Sequence, residues 1–205
     1  LEGLNLNPIA DPRNPEENFK VFADSVEILR KALSQRMFSH AGTKYTVPTP
    51  GFRWDRAHPV NDAEYIDTAT GELKYLSVVP RPLQQPYPPL WQVVDSPASV
   101  EYAARNDMGI IMWRPPVETL KDRFLLYQRS AEAATGKPVP FGARTSIMRD
   151  TFVADSMDEA REMAEQYLMG YLNWSNWRGP KIFLRPGEEL AADEEASLRK
   201  QLTYE

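Results

Sequence analysis

Pro89-Leu90-Trp91-Gln92-Val93-Val94-Asp95-Ser96-Pro97-Ala98-Ser99-Val100-Glu101-Tyr102-Ala103-Ala104-Arg105-Asn106-Asp107-Met108-Gly109-Ile110-Ile111-Met112-Trp113 reads as strand, tight turn, helix and strand. Leu90 to Val94 is a short apolar run of β-formers, the pattern of a buried parallel strand. It stops at Asp95-Ser96-Pro97, where Ser96 suits an N-cap and Pro97 the first helical position, which needs no backbone N–H. Val100, Ala103, Ala104 and Asp107-Met108 continue at helical spacing. Gly109 is expected to stop the helix, and Ile110 to Trp113 forms a second buried strand. A βαβ unit of about 25 residues is short but feasible.

The turn between strand and helix is where chemistry can sit. A helix N-terminus carries free N–H groups and the positive end of the peptide dipole, and at the carboxyl end of a parallel strand it can cradle a phosphate. Ser96 and Ser99 place two hydroxyls on that first turn. The residues alone leave two readings open: Ser96 caps the helix while Ser99 is merely solvated, or both hydroxyls face an anion.

Outward from this unit the pattern continues as α/β. Asn14-Pro15-Glu16-Glu17 reads as a helix start with a capping box, followed by an apolar stripe of Phe19, Phe22, Ala23, Val26, Leu29 and Leu33. Residues 35–89 are rich in Pro, Gly, Asp and aromatics. They predict a long irregular connection with short strands at Tyr45–Val47 and Lys74–Val79 and a turn at Ala69–Glu72. After Arg114-Pro115-Pro116, the stripe Val117, Leu120, Phe124, Tyr127 and Ala131 predicts a helix stopped by Gly136. Phe141–Val153 is strand-rich. Ser156-Met157-Asp158-Glu159 is a capping box for a helix to about Leu172. Trp174 and Trp177 fall in a loop, and 173–205 reads as a peripheral extension.

Composition narrows the function classes. The chain has 205 residues, 42% apolar and 26% charged, which fits a single globular domain over 1–205. A net charge of −5 gives no basic footprint for nucleic acid. No apolar run reaches membrane-span length and no signal pattern opens the chain, so a cytoplasmic protein without membrane partners is expected. The absence of cysteine excludes disulfides, thiolate metal sites and cysteine nucleophiles. No dinucleotide fingerprint, P-loop, nucleophile elbow or zinc motif occurs. His40 and His58, the two histidines, have no partner at metal-ligand spacing, so structural or surface roles are expected and no metal site is. Arg144 and Arg149 interrupt the strand-rich segment. They read as surface arginines, with an anion at the sheet's carboxyl end as the sharper alternative.

Asp95-Ser96-Pro97-Ala98-Ser99-Val100-Glu101-Tyr102-Ala103-Ala104 resembles the flavin-phosphate turn of the bacterial luciferase-like flavin-dependent monooxygenases. The approach Pro80-Arg81-Pro82-Leu83-Gln84-Gln85-Pro86-Tyr87-Pro88-Pro89-Leu90-Trp91 and the segment Phe38-Ser39-His40-Ala41-Gly42-Thr43-Lys44-Tyr45 resemble the same family. The three matches keep that family's order over roughly residues 15 to 172.

The resemblance implies a (β/α)8 TIM barrel with a long irregular insertion lying over its mouth. Such a barrel needs eight strands and about 250 residues, so the expectation here is part of one, without its first strands and its last. It also implies FMN in its reduced form, delivered by a flavin reductase, with oxygen inserted into a small organic substrate. A deazaflavin is the close variant, and a non-catalytic flavin-binding partner subunit the runner-up. A homo-oligomer is expected. On this reading Asp95, Ser96, Ala98, Ser99 and Val100 form the phosphate turn, with Asp95 the least clear because a carboxylate repels phosphate. Met112 and Trp113 either wall the flavin ring or simply end a core strand. Catalytic residues are expected outside this chain.

Overall fold

The computed structural model describes residues 14–53, 63–113, 115–168, 184, 187–189 and 191. His58, Trp174, Trp177, the end of the last predicted helix and nearly all of the 173–205 extension lie outside the described residues. Backbone contacts divide the chain into two compact units, Leu1–Pro88 and Pro89–Glu205.

In the first unit, helix α1 spans Pro15–Ser34, and Asn14 caps it by accepting from the Glu17 amide at 3.2 Å. Glu17 does not complete the expected capping box, because Lys20 and Lys44 bind its carboxylate. The expected stripe is only partly covered. Phe19 and Leu29 are exposed, and Val21, Asp24, Val26 and Ala32 are buried. Strands β1 (His40–Ala41) and β2 (Thr46–Val47) form a small antiparallel hairpin. The strand expected over Lys74–Val79 does not form. Within it an isolated bridge pairs Leu76 with Phe38, and just before it another pairs Leu73 with Ile66. The predicted turn is present: Asp67 accepts from the Ala69 and Thr70 amides at 2.9 and 3.1 Å, and Gly71 takes the left-handed conformation at φ 73°.

The second unit is built on β3 (Trp91–Val93), β4 (Gly109–Trp113) and β5 (Thr145–Met148), a parallel sheet in the order β3-β4-β5. Helix α2 (Pro97–Arg105) joins β3 to β4, and α3 (Val117–Thr135) joins β4 to β5. Helix α2 packs on both α3 and β4. Alternation along β4 assigns the two sheet faces. Ile110 and Met112 are fully buried, and Val94 nearly so, with Val100, Ala103 and Ala104 of α2 and Leu120 and Tyr127 of α3 in the same core. The Tyr127 hydroxyl donates to the Met108 carbonyl at 2.9 Å, and its burial raises the pKa of the phenol.

Three expectations need correction. Strand β3 is not buried, since it is the sheet edge and exposes Trp91 and Val93. Helix α2 ends at Arg105, and the left-handed residue that follows it is Asp107 at φ 51°, so Gly109 is not the stop expected. Gly109 instead starts β4, where any Cβ would overlap the Trp91 ring beside it in register. Val117 is exposed and lies off the buried stripe of α3, which is Leu120, Tyr127, Ser130 and Ala131. Gly136 stops α3 at φ 68° as expected. The last described helix, α4, spans Met157–Met163 and widens into a π turn at Ala164–Leu168. Ser156 caps it by accepting from the Glu159 amide, while Glu159 reaches the amide of Asp155 instead of the cap's own. No helix among the described residues is long and apolar enough to cross a membrane.

Candidate functional site

The carboxyl edge of the parallel sheet gathers the end of β3, the first turn of α2 and the ends of β4 and β5. Ser96 caps α2 in an extended conformation, and its Oγ accepts from the Ser99 amide at 3.2 Å. The two serine hydroxyls lie 2.9 Å apart. The bond between them uses one hydroxyl proton, so the pair keeps one O–H to donate outward. The Val100 amide donates to the Ser96 carbonyl at 3.2 Å, and its side chain is wholly buried. Pro97 has no N–H. The donors that this turn presents outward are therefore the Ala98 amide and one serine hydroxyl, both on an exposed surface.

Electrostatics favour an anion at this turn over the other helix starts. Helix α1 carries Glu16 and Glu17 in its first turn, α3 carries Glu118, and α4 carries Asp158 and Glu159. Those carboxylates offset the positive end of the dipole locally. The first turn of α2 has no acidic residue. Asp95 precedes the cap and is exposed.

The sheet face turned away from the helices is apolar except for Ser146, which stands beside Ile111. Register places Trp91 beside Gly109, Val93 beside Ile111, and Trp113 beside Met148. Trp113 keeps part of its surface open, and Met148 is 45% exposed. Met112 points the other way into the core with no exposed surface, so of the two candidate wall residues only Trp113 faces outward. Met148 escaped the sequence reading. The signal for it was strand alternation combined with parallel register, and the register is not readable without the fold.

The two arginines part company. Arg144 precedes β5, at the end of the sheet opposite the α2 turn, where it binds the Asp107 carboxylate and donates to the Asp107 carbonyl at 2.9 Å. Its place rules out the alternative of an anion at the carboxyl end. Arg149 follows β5 at the same edge as Ser96 and Trp113, and donates to the Pro115 carbonyl at 2.9 Å.

His40 has the structural role expected of it. Its side chain is 1% exposed, with Nε2 3.7 Å from the Asp24 carboxylate and Nδ1 3.4 Å from the Lys31 ammonium. Asp24, which the sequence reading passed over, accepts from the Lys44 and Tyr45 amides at 2.7 and 3.0 Å. Burial raises its pKa, but the Lys44, Tyr45 and Thr43 amides outweigh burial and hold it below the ordinary carboxylate value. Among the described residues no group of three His, Cys, Asp or Glu is placed to hold a metal ion.

A model for the family described as luciferase-like monooxygenase matches residues 7–204. Solved structures share the fold. The monooxygenase RslO1 from Streptomyces bottropensis superposes with a TM-score of 0.55 at 21% identity, over 76% of this chain and 40% of that one. The oxygenating constituent of 3,6-diketocamphane monooxygenase from the CAM plasmid of Pseudomonas putida is a type II Baeyer-Villiger monooxygenase solved in complex with FMN. It superposes with a TM-score of 0.50 at 16% identity, over 83% of this chain and 42% of that one. The chain thus spans about two fifths of the length of these two structures.

Proposed function

The chain belongs to the luciferase-like monooxygenase family, and on that premise we propose that its α2 turn holds the phosphate of FMN in a flavin-dependent monooxygenase. The observation that carries this reading is the open first turn of α2, with two donors directed outward and no acidic residue. That donor set fits two phosphate oxygens: one takes the Ala98 N–H and the other the free serine hydroxyl, with the helix dipole behind both. Trp113 and Met148 stand in register at the same edge, on the face away from the helices. They form an apolar wall for the flat ring of the cofactor, which excludes water on that side.

When bound, the reduced flavin supplies two electrons to oxygen, so that one oxygen atom enters a small organic substrate and the other leaves as water. The residues described here bind and orient. None is assigned a proton transfer. A flavin reductase is the proposed source of reduced cofactor, and a homo-oligomer the proposed assembly.

Titration with oxidised FMN and with a deazaflavin, followed by flavin fluorescence, tests the reading. Saturable quenching by FMN supports it. Binding of the deazaflavin alone moves the protein to a hydride-transferring relative. Binding of neither sinks the cradle. Supplying reduced FMN and oxygen then separates an oxygenase from a binding subunit, which would release hydrogen peroxide and no oxygenated product.

A further inference from the structure

Arg149 sits where β5 ends, one residue past the Trp113–Met148 pair that closes the register of β4 and β5. Its guanidinium donates to the Pro115 carbonyl at 2.9 Å and to the Met148 carbonyl at 3.2 Å. Pro115 lies two residues beyond Trp113, on the segment leading from β4 to α3. One planar fork therefore ties the exit of β5 to the exit of β4, just past the last paired residues. A guanidinium can span two carbonyls at fixed angles, whereas an ammonium on a flexible stem holds neither direction.

We propose that Arg149 is a positioning residue for the ring of the bound cofactor. It fixes the rim segment after β4 so that the Trp113 indole stands as a set wall beside Met148. The inference rests on the flavin reading above. Arg149 acts through the two carbonyls and Trp113, and not as a charge felt by the phosphate. The two roles differ in measurable ways. A positioning role affects any ligand that carries the ring, and lysine does not replace it. A charge role affects only the phosphorylated ligand, and lysine restores it.

The test uses Arg149→Lys and Arg149→Gln in the whole protein, titrated with FMN and with riboflavin, which has the same ring without the phosphate. Both variants are expected to weaken both ligands by the same factor, about fivefold, as lost preorganisation requires. In the ligand-free protein, the emission of Trp113, isolated by difference against Trp113→Phe in each background, is expected to shift to longer wavelength in Arg149→Lys. Arg149 is exposed and Arg149→Lys retains the stem and charge, so that variant keeps the fold. Weakening of FMN alone with recovery in Arg149→Lys overturns the proposal in favour of a charge role, and unaltered affinities with unaltered emission overturn it outright. Failure of the unmodified protein to bind either ligand overturns the flavin reading itself, and the proposal with it.

Discussion

At the start of α1, Asn14 caps and Pro15 takes the first turn; at the start of α2, Ser96 caps and Pro97 does the same. Beyond the proline the two diverge. Glu16 and Glu17 follow in α1, and Lys20 and Lys44 bind the Glu17 carboxylate. Ala98 and Ser99 follow in α2, and the turn stays open to solvent. The first start is closed electrostatically by its own residues, while the second keeps its donors available. Equal capping grammar therefore says only that a helix begins. The next two residues decide whether that beginning is a finished surface or a place for an anion.

The largest effect is expected on the closed side. Asp24 faces the loop after β1 and accepts from successive amides there, and Gly42 lies so close that any Cβ would overlap the Asp24 carboxylate and His40 Nε2. Asp24→Ala strands those half-buried donors and leaves a void where the buried carboxylate was. It should cost about 3 kcal/mol in chemical denaturation. A cost under about 1 kcal/mol would show that the carboxylate is not what holds the hairpin to α1. Gly42→Ala should cost about 2 kcal/mol, through forced displacement of the same pair.

The next expected effects convert one helix start into the other. Ala98→Glu gives α2 the acidic first turn that α1 has. Stability should rise by about 0.5 kcal/mol, because a carboxylate there complements the dipole. FMN affinity should fall about 100-fold, about 2.7 kcal/mol, because the same carboxylate meets the phosphate at close range. Opposite signs in the two measurements are what the open-turn reading requires, and a parallel loss of both would mean a damaged helix. The double change Ser96→Ala and Ser99→Ala should weaken FMN at least about tenfold, about 1.4 kcal/mol, with loss of the hydroxyl donor and of the cap. An unchanged dissociation constant would remove the serines from the site.

How far the sequence already disclosed this arrangement follows from which interactions are local. Ser96 as cap, Pro97 as first residue, Gly136 as stop and the turn at Ala69–Glu72 depend on neighbours within four residues, and all formed as read. The burial of β3 was misjudged because an apolar run looks the same at a sheet edge as at its centre, and only pairing separates the two. Gly109 was misread for a related reason. Its small size serves the Trp91 ring across the ladder, a contact invisible along the chain. The Asp24 anchor joins residues about twenty positions apart, so an aspartate on a helix gave no sign of it. The resemblance to the family pointed to the α2 turn as a place for the phosphate, and the division of its donors became legible only from the bonds already made by Ser99 and Val100.

The smallest expected effect is the pH response of the closed helix start. The Lys20 and Lys44 ammonium groups hold the Glu17 carboxyl at about 2, against an ordinary 4.5. Asp24 is also held below its ordinary value. A carboxyl with a lower pKa folded than unfolded binds fewer protons in the native state. Its contribution is complete above the unfolded value and is lost as pH falls through the folded one. Resistance to urea should therefore be level above about pH 5 and decline from there toward pH 2. Glu17→Gln should flatten the part of that decline due to Glu17 without altering FMN affinity at pH 7, since this carboxylate belongs to α1 and not to the α2 turn. Glu17 is only half-buried, which leaves its share sensitive to salt, so raising ionic strength should shrink the difference between Glu17→Gln and the unmodified protein. A difference that persists undiminished in high salt would mean that Glu17 holds α1 by packing and not by charge.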